Sequence, residues 1–250
     1  MSIQNNLLRT DQEKIPENRS IIEFLNFSIS IDGVSVLKNI DLTVQAGELT
    51  IVYGPRGAGK SVLLRSLLRL NKEIYDNVNR DGELMINGKS VTAYDKKTLR
   101  RLITYVEPSF VEALDHLKFG EFINLVLSEK QVALDEFSSE LDRLGILKLL
   151  RRELQTPLKE FYTMEKIMIL LFAAIVRKSS IIVLDCILDH VDDETLVPVI
   201  KELSTLKEDR VVILSTRHKN RFLPLADVFV IMKDGKIEYK GAPRELILKR

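Results

Sequence analysis

The chain has 250 residues, with 37 Lys and Arg against 36 Asp and Glu and a formal net charge of +1 at pH 7. This balance argues against a nucleic-acid binder held by a broadly basic surface, although a local basic patch stays open. A single cysteine excludes an internal disulfide, argues against a cysteine-based metal site and fits a reducing compartment. The length suits one large α/β unit or a core with an inserted subdomain. We therefore predict a cytoplasmic α/β protein.

The sequence contains no segment typical of a membrane span. Its longest apolar run, residues 167–176, is far shorter than the roughly 18 residues that a spanning helix needs. Residues 1–20 form a polar N-terminal extension without the basic start and apolar core of a signal peptide. We expect no direct membrane insertion, so any membrane link must come through a partner.

The first half of the chain predicts hairpins around a strand, a loop and a helix. Apolar runs flank Asp32-Gly33 and Asn87-Gly88, which are dipeptides suited to tight turns with positive φ. Between them, the apolar run 49–53 ends in a glycine-rich turn, and residues 62–70 have leucines on one helical face. Strands are therefore expected on both sides of each turn.

The second half predicts helices first and then buried strands that alternate with a helix. Pro108 begins a region whose sequence pattern is typical of helices and that continues to about residue 177. Helices are expected at 117–127, 134–150 and 164–177. The first two are interpreted as an inserted helical subdomain. Buried strands are expected at 181–184 and 211–214, with a helix at 194–206 between them. A last hairpin is expected at 228–239. Apolar strands that alternate with helices indicate a parallel sheet.

A glycine-rich segment matches the P-loop pattern in every fixed position. It consists of Gly54, Pro55, Arg56, Gly57, Ala58, Gly59, Lys60 and Ser61. A buried strand precedes it and an amphipathic helix follows, which is the context that this motif requires. Its backbone N–H groups would surround phosphate oxygens, Lys60 would reach the β- and γ-phosphates, and Ser61 would bind Mg²⁺. The alternative is a purely structural glycine turn.

Asp185 is the predicted second acid of this site. It ends the aliphatic run 181–184, where an ionisable group is costly unless it has a task or a partner. A carboxylate there can hold Mg²⁺ through water. The alternative is a structural carboxylate or a helix N-cap.

At this point the chain resembles a known family, the ATP-binding cassette (ABC) ATPases of transporters, over roughly residues 21–248. Besides the P-loop and Asp185, the matching segments are Asp189-His190-Val191-Asp192 (the D-loop), Ala226-Asp227, the hairpin around Lys233-Asp234-Gly235-Lys236, and residues 241–246. The resemblance implies a P-loop NTPase fold for residues 21–250, with a RecA-like α/β core, an antiparallel β-subdomain and a helical subdomain at about 108–177. It also implies ATP and Mg²⁺ as cofactors. Two chains would enclose two ATP molecules and dock on transporter membrane subunits at the inner face of the membrane.

A weaker resemblance points to the phosphate-importer ATPases. Arg69-Leu70-Asn71, followed by a longer stretch to Gly82-Glu83, is similar to their Arg-x-Asn and extended link to the β-hairpin. The alternative is a chance loop insertion.

Two departures from the family pattern affect catalysis directly. The family has a glutamate after the Walker B aspartate as the base that polarises water, and Cys186 stands there. A thiol is a poor base for water, and a small buried apolar role is the simpler interpretation. The signature loop Leu-Ser-Gly-Gly-Gln aligns with residues 161–165, where neither glycine is kept and Glu165 adds a negative charge. Thr163 there could instead be an N-cap, with Lys166 exposed.

Three smaller departures from the family pattern also replace residues of the ATP site. Glu107 replaces the Q-loop glutamine, as a possible Mg²⁺ ligand or a plain surface carboxylate. Arg217 replaces the switch histidine by spacing, although a shift of one residue would bring His218 there. The adenine-stacking aromatic aligns with Ile31, and Phe27 and Tyr53 are expected to be strand residues rather than substitutes.

The predicted function is an ATP-binding subunit of an ABC transporter with a degenerate site. It would bind Mg-ATP through the P-loop and Asp185, and would hydrolyse it slowly or not at all. A second ABC ATPase subunit and membrane subunits are the expected partners. One alternative is an active ATPase, similar to the phosphate-importer ATPases, in which Glu107, Arg217 or His218 supplies the lost roles. The other is a non-transport scaffold that uses the same fold.

Overall fold

The computed structural model describes residues 20–130, 132–150 and 154–247. The polar extension predicted for residues 1–20 lies outside this description except for Ser20, where the first strand begins. The described strands are β1 (Ser20–Ile31), β2 (Val34–Gln45), β3 (Leu49–Tyr53), β4 (Val78–Ile86), β5 (Lys89–Ser90), β6 (Ile103–Val106), β7 (Ile181–Asp185), β8 (Val211–Thr216), β9 (Val228–Lys233) and β10 (Lys236–Gly241).

These strands form two sheets of different type. The first sheet has the order β2-β1-β4-β5, with antiparallel pairing throughout. The second has the order β10-β9-β3-β8-β7-β6, in which β9, β3, β8, β7 and β6 run parallel and only β10 is antiparallel. The predicted fold class, an α/β core with a parallel sheet and an antiparallel β-subdomain, is confirmed.

The three predicted tight hairpins are confirmed by their backbone angles. Asp32-Gly33, Asn87-Gly88 and Asp234-Gly235 each have two successive residues with φ between 49° and 78°. This is the conformation of a two-residue turn whose twist matches that of the flanking strands.

The parallel sheet is buried on both faces. Along β7, Ile181 and Val183 belong to one apolar cluster, together with residues of the helix after the P-loop. Ile182 and Leu184 belong to a second cluster, together with the helices on the other side. Successive side chains of a strand point to opposite faces, so a continuous aliphatic run is what a strand between two helical layers requires.

The described α-helices are α1 (Lys60–Ser66), α2 (Asn71–Ile74), α3 (Lys96–Leu102), α4 (Pro108–Ala113), α5 (Phe119–Lys130), α6 (Ser138–Arg143), α7 (Ile146–Leu149), α8 (Thr163–Val176), α9 (Asp193–Leu206), α10 (Lys219–Phe222) and α11 (Pro243–Ile247). Helices α4–α8 occupy the region predicted to be helical. In the described residues, no helix is long and apolar enough to cross a membrane.

One prediction of secondary structure was wrong and one strand was missed. The expected helix at 134–150 is a short 3-10 helix followed by α6 and α7, because Gly145 between them has φ 71° and ends the regular helix. Strand β6 was not predicted at all. It has only four residues, all buried, and such a short apolar run carries no periodicity that distinguishes strand from helix.

Candidate functional site

The site lies where the carboxyl ends of neighbouring parallel strands meet, as is general for open α/β sheets. The P-loop follows β3, Glu107 follows β6, Asp185 ends β7 and Thr216 ends β8. A cavity of about 600 Å³ opens there and is lined by Val36, residues 56–62, Arg65, residues 107–109, Asp185, Cys186, His190 and Arg217. The structure therefore brings most of the predicted site residues together. His218 is exposed and is not among the described residues that line the cavity.

Two P-loop glycines are required by their surroundings. A Cβ atom on Gly54 would lie 2.4 Å from the carbonyl oxygen of Met232. Gly59 has φ 95°, and a Cβ atom there would lie 2.7 Å from Cδ2 of Leu37. Side chains at these positions would push the loop away from β2 and β9. The glycines thus keep the loop close to the sheet while its backbone turns.

Lys60 is the first residue of α1 and lines the cavity while being only 5% exposed. Its ammonium donates hydrogen bonds to the carbonyl oxygens of Gly54, at 2.7 Å, and Pro55, at 3.0 Å. An ammonium group has three N–H donors. The loop carbonyls therefore orient Lys60 and leave donor capacity for an anion in the cavity.

Asp185 is 2% exposed and is held by hydroxyl groups. Its Oδ1 accepts a hydrogen bond from the Ser215 hydroxyl, and its Oδ2 lies 2.8 Å from the Tyr105 hydroxyl. The N-cap alternative for this residue is wrong, because the 3-10 helix that follows begins at Ile187 and has Cys186 in the cap position.

Glu107 is engaged through both of its carboxylate oxygens. Oε2 accepts from Arg65 Nε at 2.9 Å and Nη2 at 2.6 Å, and it lies 2.9 Å from the Tyr105 hydroxyl. Oε1 accepts from the Ser109 hydroxyl at 2.7 Å. Because Glu107 is 4% exposed, the plain surface carboxylate expected as one alternative is wrong. The role of Glu107 as a Mg²⁺ ligand stays a prediction. One of its two carboxylate oxygens, Oε2, is already engaged by Arg65.

Tyr105 connects the two acids. Its hydroxyl has one hydrogen, so it can donate to Asp185 or to Glu107 at any moment, but not fully to both. Burial, the charge of Asp185 and the charge of Glu107 together raise the pKa of Tyr105 far above its ordinary value. The phenol therefore stays neutral. For Arg65, burial opposes the charged form, but the hydrogen bonds and charge of Glu107 and Tyr105 raise its pKa.

Cys186 faces the cavity as a neutral thiol. Ser215 donates its own hydrogen to Asp185, so its oxygen accepts from the Cys186 amide at 3.0 Å and from the Cys186 thiol at 3.2 Å. Burial raises the pKa of the thiol, the Ser215 hydrogen bond works against this, and the charge of Asp185 adds to it. The sulfur of a protonated thiol is far too weak a base to accept a proton from water at neutral pH.

Arg217 lines the cavity and forms an ion pair with Asp189 of the D-loop. Its Nε donates to Asp189 Oδ2 at 2.9 Å and its backbone N–H donates to the same oxygen at 3.1 Å. Its Nη2 lies 3.1 Å from Nε2 of His190. The hydrogen bond with Asp189 raises the pKa of Arg217, so this side chain is a permanent cation. Asp189 is itself buried and also accepts from the Thr216 hydroxyl.

The aromatic residues near the P-loop are strand residues, as predicted. Phe27 is fully buried in β1, and the ring of Tyr53 stacks on Phe229 with centroids 6.0 Å apart. Ile31 ends β1 opposite Val34. None of these three residues lines the described cavity.

The loop that aligns with the family signature begins α8. Thr163 is its first helical residue and Tyr162 occupies the N-cap, so the predicted N-cap role of Thr163 was wrong. The Glu165 carboxylate folds back and accepts a hydrogen bond from the Tyr162 backbone N–H at 2.9 Å. Lys166 was expected to be exposed, but it is only 7% exposed because it forms an ion pair with Asp115.

The oxygen donors at the cavity fit a magnesium nucleotide. The Ser61 hydroxyl and the Asp185 carboxylate are the oxygen ligands that this hard cation prefers. No group of three or more His, Cys, Asp and Glu in the described part of the chain is placed to hold a metal by itself. Phosphate oxygens of a bound nucleotide would therefore have to supply further ligands.

Sequence reasoning missed Arg65, Tyr105 and the hydroxyl pair Ser215-Thr216. Arg65 lies among the leucines of the P-loop helix, and the hydroxyl pair ends the aliphatic run of β8. Polar groups at such buried positions need partners, and this was the available signal.

Comparison with known proteins identifies the relatives of this chain. A family profile described as ABC transporter matches residues 37–186. The chain is 27% identical over 237 residues, 93% of its length, to an ATP-dependent lipid A-core flippase of Hahella chejuensis, of which it spans 39%. It is 26% identical over 233 residues, 92% of its length, to the spermidine/putrescine import ATP-binding protein PotA of Aliivibrio fischeri, of which it spans 60%.

Two solved structures have the same fold. A bacterial Atm1-family ABC exporter with ATP bound superposes with a TM-score of 0.76 over 94% of this chain and 41% of that chain, at 18% identity. An ATP-binding subunit of an ABC transporter superposes with a TM-score of 0.75 over 92% of this chain and 93% of that chain, at 20% identity. The two sequence relatives above include an importer protein and a flippase, and this chain spans less than two thirds of either.

Proposed function

This chain belongs to the ABC transporter family, and we propose that it is an ATP-binding subunit that binds ATP or ADP with Mg²⁺ but hydrolyses ATP slowly or not at all. The observation that carries the proposal is the composition of one cavity. Lys60, Ser61 and Asp185 line it, and so does the Cys186 thiol at the position of the family's general base.

Binding follows from the P-loop. Its backbone N–H groups and the remaining donor of Lys60 would hold the phosphates, while Ser61 and Asp185 would hold Mg²⁺. The metal would supply charge neutralisation at the phosphates. The hydroxyls of Ser215 and Tyr105 keep the Asp185 carboxylate oriented at the end of β7.

Slow hydrolysis is expected because the side chains at the positions of the family's base, Q-loop glutamine and switch histidine are poor bases. The Cys186 thiol is neutral, Glu107 is occupied by Arg65, and Arg217 is a permanent cation. A general base must be unprotonated and within reach of the attacking water. Cys186 and Arg217 fail the first condition, and the carboxylate of Glu107 is already engaged by Arg65.

Restoring the glutamate tests how much of the defect lies at this position. We expect Cys186→Glu to leave ATP turnover well below ordinary ABC rates, because residues 161–165 would still fail to complete the opposite site. Phosphate release by the purified variant, with Cys186→Ser as the size-matched control, is the measurement. Ordinary family rates in the Cys186→Glu chain would contradict the proposal that several losses act together.

We further propose a cytoplasmic location on the inner face of the membrane, with the helical subdomain docked on transporter membrane subunits. Its partner would be a second, different ABC ATPase subunit. Glu165 supports this pairing, because its carboxylate already accepts a hydrogen bond from the Tyr162 backbone N–H at the start of α8. A signature loop in this state offers an acid rather than a donor to the partner's γ-phosphate.

ATP is therefore expected not to induce a tight dimer of identical chains. Closing two identical sites would bring Glu165 towards each γ-phosphate, and like charges at roughly 4–6 Å cost on the order of a kcal/mol or more at intermediate dielectric. Combining Glu165→Gln with Thr163→Gly and Met164→Gly should shift the chain towards dimer. Sedimentation with ATP and Mg²⁺ measures both, and an ATP-dependent wild-type dimer would refute the mixed pairing.

A further inference from the structure

A second cavity of about 360 Å³ lies where the end of the P-loop helix meets the β-subdomain. Its walls come from the chain after α1, from α2, and from β1 and β4. It shares no described lining residue with the nucleotide cavity. Nothing in the proposed nucleotide chemistry uses it.

The rim of this cavity is cationic. Arg69, Lys72 and Arg80 line it, and no described Asp or Glu does. Within the described residues, neither Lys72 nor Arg80 forms an ion pair. The neighbouring Glu73 is paired with Lys96 and Arg100, and its charge also interacts with that of Arg69. Three cations in the lining of one cavity, with no described acid in that lining, raise the local concentration of anions.

One of these cations, Arg69, lies in a tight corner between α1 and α2. Arg69 has φ 61°, which is uncommon for a residue with a side chain, and its guanidinium donates to the Tyr94 carbonyl oxygen at 3.3 Å. Asn71 is 3% exposed, and its amide nitrogen donates to the Val62 carbonyl at 2.8 Å and the Ser66 hydroxyl at 3.0 Å. Residues in such backbone conformations persist where the surroundings fix them, and they cluster at binding sites.

The lining of the cavity also includes apolar residues and a buried amide. Phe27 and Ile29 of β1 are only 0% and 3% exposed and lie beneath the surface, so the accessible apolar side chain is that of Val78, which is half-buried. Asn71 also lines the cavity, and its amide oxygen is buried without a hydrogen-bond partner among the described residues. The volume lies within the roughly 300–1,000 Å³ of small-molecule pockets, which combine apolar walls with a few placed polar groups.

We propose that this cavity is a second binding site, and that it takes a small organic phosphate. Its phosphate would lie among Arg69, Lys72 and Arg80, with its carbon skeleton against Val78, the half-buried apolar residue of the lining. Three cations favour a phosphate monoester over a carboxylate, because the phosphate carries about −1.5 to −2 charges at pH 7 and three acceptor oxygens. The site goes beyond nucleotide binding and does not depend on it.

Calorimetric titration with phenyl phosphate, inorganic phosphate and benzoate tests the proposal. The Lys60→Ala chain is used so that the P-loop contributes little phosphate binding. We expect one site that prefers phenyl phosphate to both other probes. Lys72→Ser and Arg80→Ser should each weaken phenyl phosphate binding about tenfold, as for one charge-assisted contact. Lys97→Ser, which removes an exposed cation outside the cavity lining, should leave it unchanged.

A parallel titration uses the wild-type chain saturated with Mg-ATP, so that a folding defect of Lys60→Ala does not decide the outcome. Lys72 and Arg80 are both exposed, so either serine variant carries the test if the other fails to fold. Absence of phenyl phosphate binding in a folded chain would overturn the proposal. Binding that both serine variants leave unchanged would overturn it too.

Discussion

Replacing Lys60 with alanine is expected to weaken ATP binding about 30-fold to 150-fold. The ammonium is positioned by the carbonyl oxygens of Gly54 and Pro55 and has a remaining donor for the phosphates. Losing one charge-assisted contact of this kind costs about 2–3 kcal/mol. Calorimetric titration of the variant with Mg-ATP measures the change directly.

The control for this variant is a lysine outside the cavity. Lys97→Ala removes an exposed cation from α3 and should leave the affinity for ATP unchanged. The melting temperature of each ligand-free variant shows whether it is folded. Unchanged ATP affinity in a folded Lys60→Ala chain would mean that the P-loop is a structural turn only.

Replacing Arg65 with alanine is expected to lower the free energy of unfolding by about 2–3 kcal/mol. The variant leaves Glu107, which is 4% exposed, without its cation next to Asp185. Removing one partner of a fully buried pair costs about 3–5 kcal/mol, and the partial exposure of Arg65 places the expected loss just below that range. Urea denaturation at neutral pH is the measurement.

A double-mutant cycle separates the ion pair from other effects of Arg65. Glu107→Gln removes the charge but keeps a side chain that can bond Ser109 and Tyr105. The combined variant should be less destabilised than the sum of the two single variants, by about 1 kcal/mol or more. Additive effects would show that Arg65 and Glu107 do not stabilise each other.

The elements nearest the P-loop could be predicted because their signals are local. The P-loop glycines, the strand before them and the helix after them follow one another in sequence. Asp185 could be located because four aliphatic residues precede it in β7. The dipeptides of the three hairpins required positive φ values, and the backbone has them.

The network around Glu107 could not be predicted, because it depends on contacts distant in sequence. Tyr105 and Asp185 are 80 residues apart and meet only because β6 pairs with β7. Without β6, Glu107 looked like a loop residue. The burial of Lys166 was missed for the same reason, since its partner Asp115 lies 51 residues away.

The most direct test of the central claim is to measure ATP binding and ATP turnover on one sample of the wild-type chain. Calorimetry gives the affinity for Mg-ATP, and phosphate release from the same preparation gives the rate, with and without any membrane subunits that co-purify. We predict clear binding with phosphate release near the background of the Lys60→Ala chain. Turnover at ordinary ABC rates, absent in Lys60→Ala, would contradict the account and favour an active ATPase with rewired catalytic residues.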